Sequence, residues 1–300
     1  MSTASSIDIA PGPGLNAATS PGFMTRLPDY SAEVTTPDRR SLDHAARLMP
    51  KDARVYVASL PKDPPDRQIG VCAQVRDLGL IPVPHIVARN IPDRDALDNL
   101  LGRLSREAGV DRALVLGGDR DVPAGEYDRS LQVIESGLLQ RHGIDKIAIA
   151  CYPEGHPRIP EDVLDRARDD KIAAARAGGL SLILISQVCF ESEPIIRFLG
   201  KIRAEGVTER VRVGVAGPAK HSTLIKYAMI CGVGASLRAL RERQSLARNI
   251  LSGETPEKLI LDLEEAVEAE PSLNIWGIHF FTFASLRNTI EWVEGFPRRF

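Results

Sequence analysis

A glutamate sits inside an apolar segment, Ser31-Ala32-Glu33-Val34. A carboxyl group taken out of water resists ionisation, which lets a protein hold a general acid in its protonated form at neutral pH. The alternative is an edge-strand residue that faces solvent. A second carboxylate, Asp119, closes the run Leu114-Val115-Leu116-Gly117-Gly118-Asp119, where two glycines would let a ligand approach the backbone. The same pattern also suits a tight turn with Asp119 capping the next helix. A third segment, Cys151-Tyr152-Pro153-Glu154-Gly155-His156-Pro157, offers phenol and imidazole on a stiff loop, able to stack on and hydrogen-bond a planar heterocycle, or else a rigid turn with solvent-facing polar groups. His85 follows Pro84 and suits a ligand role or a packed core role equally. Gln187, after Leu182-Ile183-Leu184-Ile185-Ser186, carries an amide that both donates and accepts. His279 lies within Gly277-Ile278-His279-Phe280 and is expected to pack.

These residues fall at or near the ends of eight short apolar segments: Tyr30–Val34, Arg54–Ser59, Leu80–Val87, Ala113–Gly118, Lys146–Pro153, Leu180–Gln187, Val211–Gly217 and Ile275–Phe283. The first seven start roughly 24 to 34 residues apart, the length of one βα unit. Helical patterns stand between them. Leu97, Leu100, Leu101, Leu104 and Ala108 keep the i, i+3, i+4, i+7 spacing, and Gly109 is placed to end that helix. Leu131, Ile134 and Leu138 repeat the pattern up to Gly143, and Pro160-Glu161-Asp162 opens another helix. Three helices are expected at about 220–230, 235–250 and 256–269, the last with Thr255 as N-cap and Pro256 at its first position. The sum is a (β/α)8 TIM barrel over 29–300 as one domain, with an N-terminal extension over 1–28 and extra helices between strands 7 and 8. In such a barrel the C-terminal strand ends share one mouth, so Glu33, Ser59, His85, Asp119, His156 and Gln187 are expected to meet there.

At 300 residues, 43% apolar and 26% charged, with a net charge of −2, the chain has ordinary globular composition. No basic patch argues for nucleic acid or an anionic membrane surface, and no apolar run is long enough to span a bilayer. The four cysteines, Cys72, Cys151, Cys189 and Cys231, form no CxxC pair and read as structural thiols of a cytoplasmic protein. No local spacing suits a metal. Gly232-Val233-Gly234 lacks the third glycine and preceding strand of a dinucleotide fingerprint.

Pro84-His85, Gly118-Asp119, Tyr152-Pro153-Glu154-Gly155-His156-Pro157, Ser186-Gln187 and Gly277-Ile278-His279-Phe280-Phe281-Thr282 stand in an order and spacing that resembles the methylenetetrahydrofolate reductase family, over roughly residues 29–295. The resemblance implies a (β/α)8 barrel that moves a hydride from NADH or NADPH, through bound FAD, to 5,10-methylenetetrahydrofolate, giving 5-methyltetrahydrofolate. It implies Glu33 as the general acid towards N10, and Asp119 as the charge that favours the resulting iminium cation. Gln187, with Asp119 and Phe281, would serve the folate. Ser59, His85, Gly118, Tyr152, His156, Asp165, Arg168 and Lys171 would hold the flavin. A homo-oligomer is expected from family habit.

The chain departs from the family pattern at several places. Gly117 replaces an arginine, Ser59 a threonine, Ile86-Val87-Ala88 a Leu-Thr-Cys string, and Phe281-Thr282-Phe283-Ala284 a Tyr-Thr-Leu-Asn string. Ser285 stands for an arginine on the folate side, with Arg287 nearby. Two further readings follow: direct hydride transfer from NADH without flavin, and a non-catalytic folate-binding subunit.

Overall fold

Eight strands alternate with helices along the chain: β1 (Ser31–Val34), β2 (Arg54–Val57), β3 (Ile81–Val87), β4 (Arg112–Leu116), β5 (Lys146–Cys151), β6 (Ser181–Ser186), β7 (Val211–Ala216) and β8 (Ile275–Phe281). All pair in parallel, and β8 returns to β1 through the Ser31↔His279 and Ala32↔Phe280 register, so the ring closes as a (β/α)8 barrel. This is a computed structural model; it describes residues 30–60, 63–231, 233 and 255–296. The segment 1–28 and the helix expected at about 235–250 lie outside the described residues.

Several strands end earlier than the sequence suggests. β2 stops at Val57 and β6 at Ser186, which leaves Ser59 and Gln187 on the loops above them. β8 stops at Phe281 because Phe283 and Ala284 take left-handed conformations, with φ of 50° and 60°, and these break the extended run.

The helices are α1 (Leu42–Ala46), α2 (Pro65–Asp77), α3 (Arg94–Ala108), α4 (Ser130–Glu135), α5 (Leu138–Arg141), α6 (Glu161–Ala177), α7 (Ser192–Ala204), α8 (His221–Cys231), α9 (Glu257–Ala269) and α10 (Leu286–Gly295). α3 follows its sequence signals: Asp93 accepts from the Ala96 amide at 2.8 Å, and Gly109 closes the helix at φ 57°. Leu97, Leu101 and Leu104 are buried beneath it, each worth about 1.5–3 kcal/mol against exposure. The expected single helix through Leu131 and Leu138 is instead two short ones. Gly137, at φ 72°, breaks it, and Ser136 stitches the joint by donating to the Val133 carbonyl at 2.7 Å and accepting from the Leu138 amide at 3.2 Å. Two further starts differ by one residue. Pro160 and Pro256 are N-caps and not first-turn residues; the Pro256 carbonyl accepts the first bond of α9, from the Ile260 amide at 3.0 Å.

The apolar core has two shells. Tyr56, Val83, Leu114, Ala148 and Ile185 fill the inside of the strand ring, while the larger shell packs the outward strand faces against the helices. Inside the ring Ser31 Oγ and His279 Nδ1 meet at 3.0 Å, and the Tyr56 and His279 rings meet edge to face at 4.6 Å. The N-terminal end of the ring is plugged by Trp276 with the guanidinium groups of Arg54 and Arg212 at 4.7 and 4.4 Å from its ring centre. Among the described residues no helix is long and apolar enough to cross a membrane.

Candidate functional site

Side chains two residues apart on a strand share a face. Ser31 points into the ring, so Glu33 does too, one layer nearer the mouth. Its side chain is 19% exposed, and burial pushes the carboxyl up to about 7. Among the described residues the carboxyl makes no hydrogen bond; His85 Nε2 lies 3.8 Å from Oε2. His85 is buried at the upper part of β3, and burial lowers its imidazole to about 4. The corner is braced by Gln68 of α2, whose amide donates to the Val57 and His85 carbonyls, both at 3.0 Å. Sequence reasoning missed Gln68, since a glutamine on a helix carries no signal of burial by type. Ser59, Gln68 and His85 line a small cavity of about 110 Å³ outside this corner.

Asp119 lies elsewhere. Its side chain is 95% exposed on the loop after β4, 3.9 Å from Arg158 Nη2, which makes it a rim residue. Arg158 also donates to Asp121 at 2.9 Å and so ties this loop to the one after β5. Asp119 caps no helix either, because α4 begins only at Ser130. Its charge is nonetheless felt at Tyr152, His156 and Cys231. Gly118 has φ +101°, and a Cβ there would stand 2.4 Å from Val87 Cγ1. Its glycine therefore admits the neighbouring strand, whereas Gly117 faces open space.

On the β6–β8 side, Gln187 Oε1 accepts from the Val188 amide at 2.8 Å, which fixes the side chain and leaves its NH2 for other partners. Phe281 meets His279 edge to face at 5.0 Å and stacks towards Phe283 at 6.5 Å; Phe283 in turn stacks on Tyr227 of α8 at 4.1 Å. Phe281 has room because residue 214 is glycine: a Cβ there would lie 2.6 Å from its ring and 2.4 Å from the Ser186 carbonyl. The ladder was legible only as two phenylalanines in a strand. Cys231, at the end of α8, has its thiol pushed up to about 11 by burial, with the charges of Asp119 and Glu33 adding to the shift.

The remaining expected residues line a cavity of about 610 Å³ between the end of β5, α6 and α7. Tyr152 and His156 meet edge to face at 5.4 Å, and burial raises the Tyr152 phenol to about 12. Burial lowers the His156 imidazole, helped by the Arg158 charge. Arg168 is held by three carboxylates, Asp169 at 2.8 Å, Glu205 at 2.9 Å and Asp165 at 3.0 Å. Lys201 is held by Glu161 at 2.5 Å and Asp165 at 2.8 Å. Among the described lining residues, Lys171 is the cation with no carboxylate beside it, and burial lowers its pKa. The volume lies in the range of small-molecule and cofactor sites. Two aromatic rings and one uncommitted ammonium suit a planar group joined to a phosphate, so these residues fit part of a nucleotide cofactor such as FAD. β1 and β5 stand opposite each other in the ring of eight, so Glu33 and this cavity flank the mouth from two sides. The expected convergence is thus split: Glu33 with His85 and Ser59 on one flank, Tyr152, His156, Asp165, Arg168 and Lys171 on the other. Among the described residues no group of metal-ligating side chains gathers.

No family model matches this chain. A 5,10-methylenetetrahydrofolate reductase of Pectobacterium carotovorum subsp. carotovorum is 25% identical over 200 residues, covering 64% of this chain and 62% of that protein. The match thus spans less than two thirds of the relative's length, and it agrees with the resemblance read from the motifs. An uncharacterised protein of Clostridium thermocellum that binds two copies of 5-methyl-5,6,7,8-tetrahydrofolic acid superposes with a TM-score of 0.50 at 12% identity, over 88% of this chain and 96% of that one. That likeness speaks for the fold. Dihydropteroate synthase of Thermus thermophilus gives a TM-score of 0.47 at 16% identity, over 91% of this chain and 94% of that one.

Proposed function

We propose that this protein is an oxidoreductase that interconverts 5,10-methylenetetrahydrofolate and 5-methyltetrahydrofolate, with NADH or NADPH as hydride donor. The observation that carries the reading is Glu33: a carboxyl at the barrel mouth, buried by β1 and β3 and held near 7, with no hydrogen bond of its own among the described residues. A pure binding site has no use for an acid kept in that state, which disfavours the folate-binding subunit. The matched reductase and the folate-binding barrel add support of a coarser kind, for folate chemistry.

In the reductive direction Glu33 gives its proton to N10, and the bond from N10 to the methylene carbon breaks. The carbon remains on N5 as an iminium cation and accepts the hydride, giving the methyl group. General acid catalysis of this kind contributes about 10²–10⁴-fold. The Asp119 carboxylate on the rim favours the cation, more so once a bound ligand excludes water. The free NH2 of Gln187 suits the pterin edge, and Phe281 offers it an apolar wall.

Tyr152, His156 and Lys171 would hold FAD, which when bound supplies a two-electron relay between nicotinamide and folate. A second reading, direct transfer from NADH without flavin, is favoured by one observation: Arg168 is surrounded by Asp165, Asp169 and Glu205, which leaves Lys171 alone for a pyrophosphate. The visible spectrum of the purified protein and an NADH-dependent assay with and without FAD decide the matter. Yellow protein, or activity that rises with FAD, supports the flavin. Colourless protein with full activity supports direct transfer. Inactive protein under both conditions sinks the reductase and brings the binding subunit forward.

A further inference from the structure

Each reductive turnover of the proposed reaction consumes one proton through Glu33, while the bound folate and nicotinamide would cover the mouth above it. Glu33 must then be reloaded from another side. The structure offers such a side. His85 stands 3.8 Å from Glu33, and it also lines the cavity of about 110 Å³ with Ser59, Asp63, Gln68 and Asn90. That volume accommodates about three waters. Two buried polar atoms of its lining residues, His85 Nε2 and Asn90 Oδ1, have no hydrogen-bond partner among the described residues. The His85 Nε2 atom is the one turned to Glu33, while Asn90 Oδ1 is costly in that lining unless it binds water. Gln68 fixes the backbone on which His85 rides.

We propose that His85 is a positioning and proton-delivering residue that connects Glu33 to this cavity, a route to the acid separate from the mouth through which substrate enters. The inference rests on the reductase reading. When Glu33 has given up its proton, the Nε2–H bond of His85 breaks as the Glu33 O–H bond forms, and a solvent proton arriving through the cavity forms the Nδ1–H bond. The imidazole ends neutral, as it began. Its first tautomer returns when product leaves and Nε2 regains a proton from solvent while Nδ1 releases its own. No lysine or arginine among the described residues lies within ion-pair distance of Glu33. The groups that face the pair are Tyr56 of β2 and His279 of β8 below it, and Cys231 of α8 beside it, with Asp119 further out on the rim.

The assignment gives His85 a task other than holding flavin, and a ligand-free readout tests it. The carboxyl stretch of Glu33, identified by its loss in Glu33→Gln, is titrated by infrared difference spectroscopy in the full chain. The N–H dipole of His85 at 3.8 Å favours the carboxylate without a hydrogen bond, so His85→Ala raises the midpoint. His85→Gln keeps a donor there but cannot relay, so its midpoint stays near that of the parent. In turnover both variants lose at least about tenfold in kcat with folate KM unchanged, the pattern of a step after binding. Added imidazole restores part of the rate in His85→Ala and none in Glu33→Gln. A folded His85→Ala with the parental midpoint overturns the proposal. Should His85→Ala fail to fold, His85→Gln decides, and an unchanged kcat overturns it. If the parent protein lacks reductase activity the functional reading fails, while the infrared titration still judges the pairing of His85 with Glu33.

Discussion

Glu33 Oε2 and His85 Nε2 face each other at 3.8 Å, and burial drives their titrations in opposite directions, up to about 7 for the acid and down to about 4 for the imidazole. Both groups are therefore neutral over the pH range that separates those values. The corner holds a donor and an acceptor but no fixed charge.

This opposition fixes how stability depends on pH. Between its unfolded value of 4.5 and about 7, Glu33 binds more proton folded than unfolded, so its contribution falls as pH rises, by about 3 kcal/mol in all. Between about 4 and 6.5, His85 binds less proton folded than unfolded, so its contribution grows with pH by a similar amount. The two slopes cancel over their shared window. His279, buried with its imidazole held well below the usual value, adds a rise of its own, so denaturant unfolding should show the parent gaining stability from pH 4.5 to 6.5. Glu33→Gln should rise more steeply than the parent across that range, and His85→Gln less steeply. Parallel profiles in all three would refute the assignment.

Replacing Glu33 by glutamine keeps size and removes the transferable proton. We expect kcat to fall about 10²–10⁴-fold, with folate affinity unchanged by calorimetry. Loss of binding instead of turnover would make Glu33 a contact residue.

Gly214→Ala places a methyl against the Phe281 ring and the Ser186 carbonyl; the carbonyl is held by its strand, so the partly buried ring must shift. Overpacking of this kind costs about 1–3 kcal/mol, and the displaced Phe281 should raise folate KM. Thermal unfolding and steady-state kinetics together check both parts.

Arg168 and Lys171 stand one turn apart on α6 and should behave as opposites. Arg168→Met strands Asp165, Asp169 and Glu205 together, at a cost of about 2 kcal/mol, since those acids keep part of their hydration. Lys171→Met removes a half-buried ammonium with no carboxylate beside it, so stability should hold or rise while affinity for a nucleotide phosphate falls. Calorimetry with FAD and NADH, beside melting curves, separates the two effects.

The strand ring was legible because each strand is a short apolar run framed by turn residues, and because the βα unit repeats at nearly constant length. What the pattern hid was local. Leu131, Ile134 and Leu138 keep helical spacing straight across Gly137, so hydrophobic periodicity ran through a break that depends on one left-handed residue. Glu33 stood out by its misfit with its neighbours. The exposure of Asp119 was hidden for another reason: a strand followed by Gly-Gly-Asp does not say how far the loop carries the carboxylate into solvent, and the pull of Arg158 comes from another loop. Gln68 and Glu205 are silent in the sequence because their tasks exist only against β2, β3 and α6, brought near by the closed topology.

The seam between β1 and β8 joins residues some 248 positions apart, through Ser31↔His279 pairing and the bond between those side chains. During synthesis the first strand leaves the ribosome long before its partner exists. Until then the Glu33 carboxyl is an ordinary hydrated acid on an open edge. Its altered titration is acquired with the final stitch of the ring, which makes that carboxyl a native reporter of when the newly made chain has finished folding.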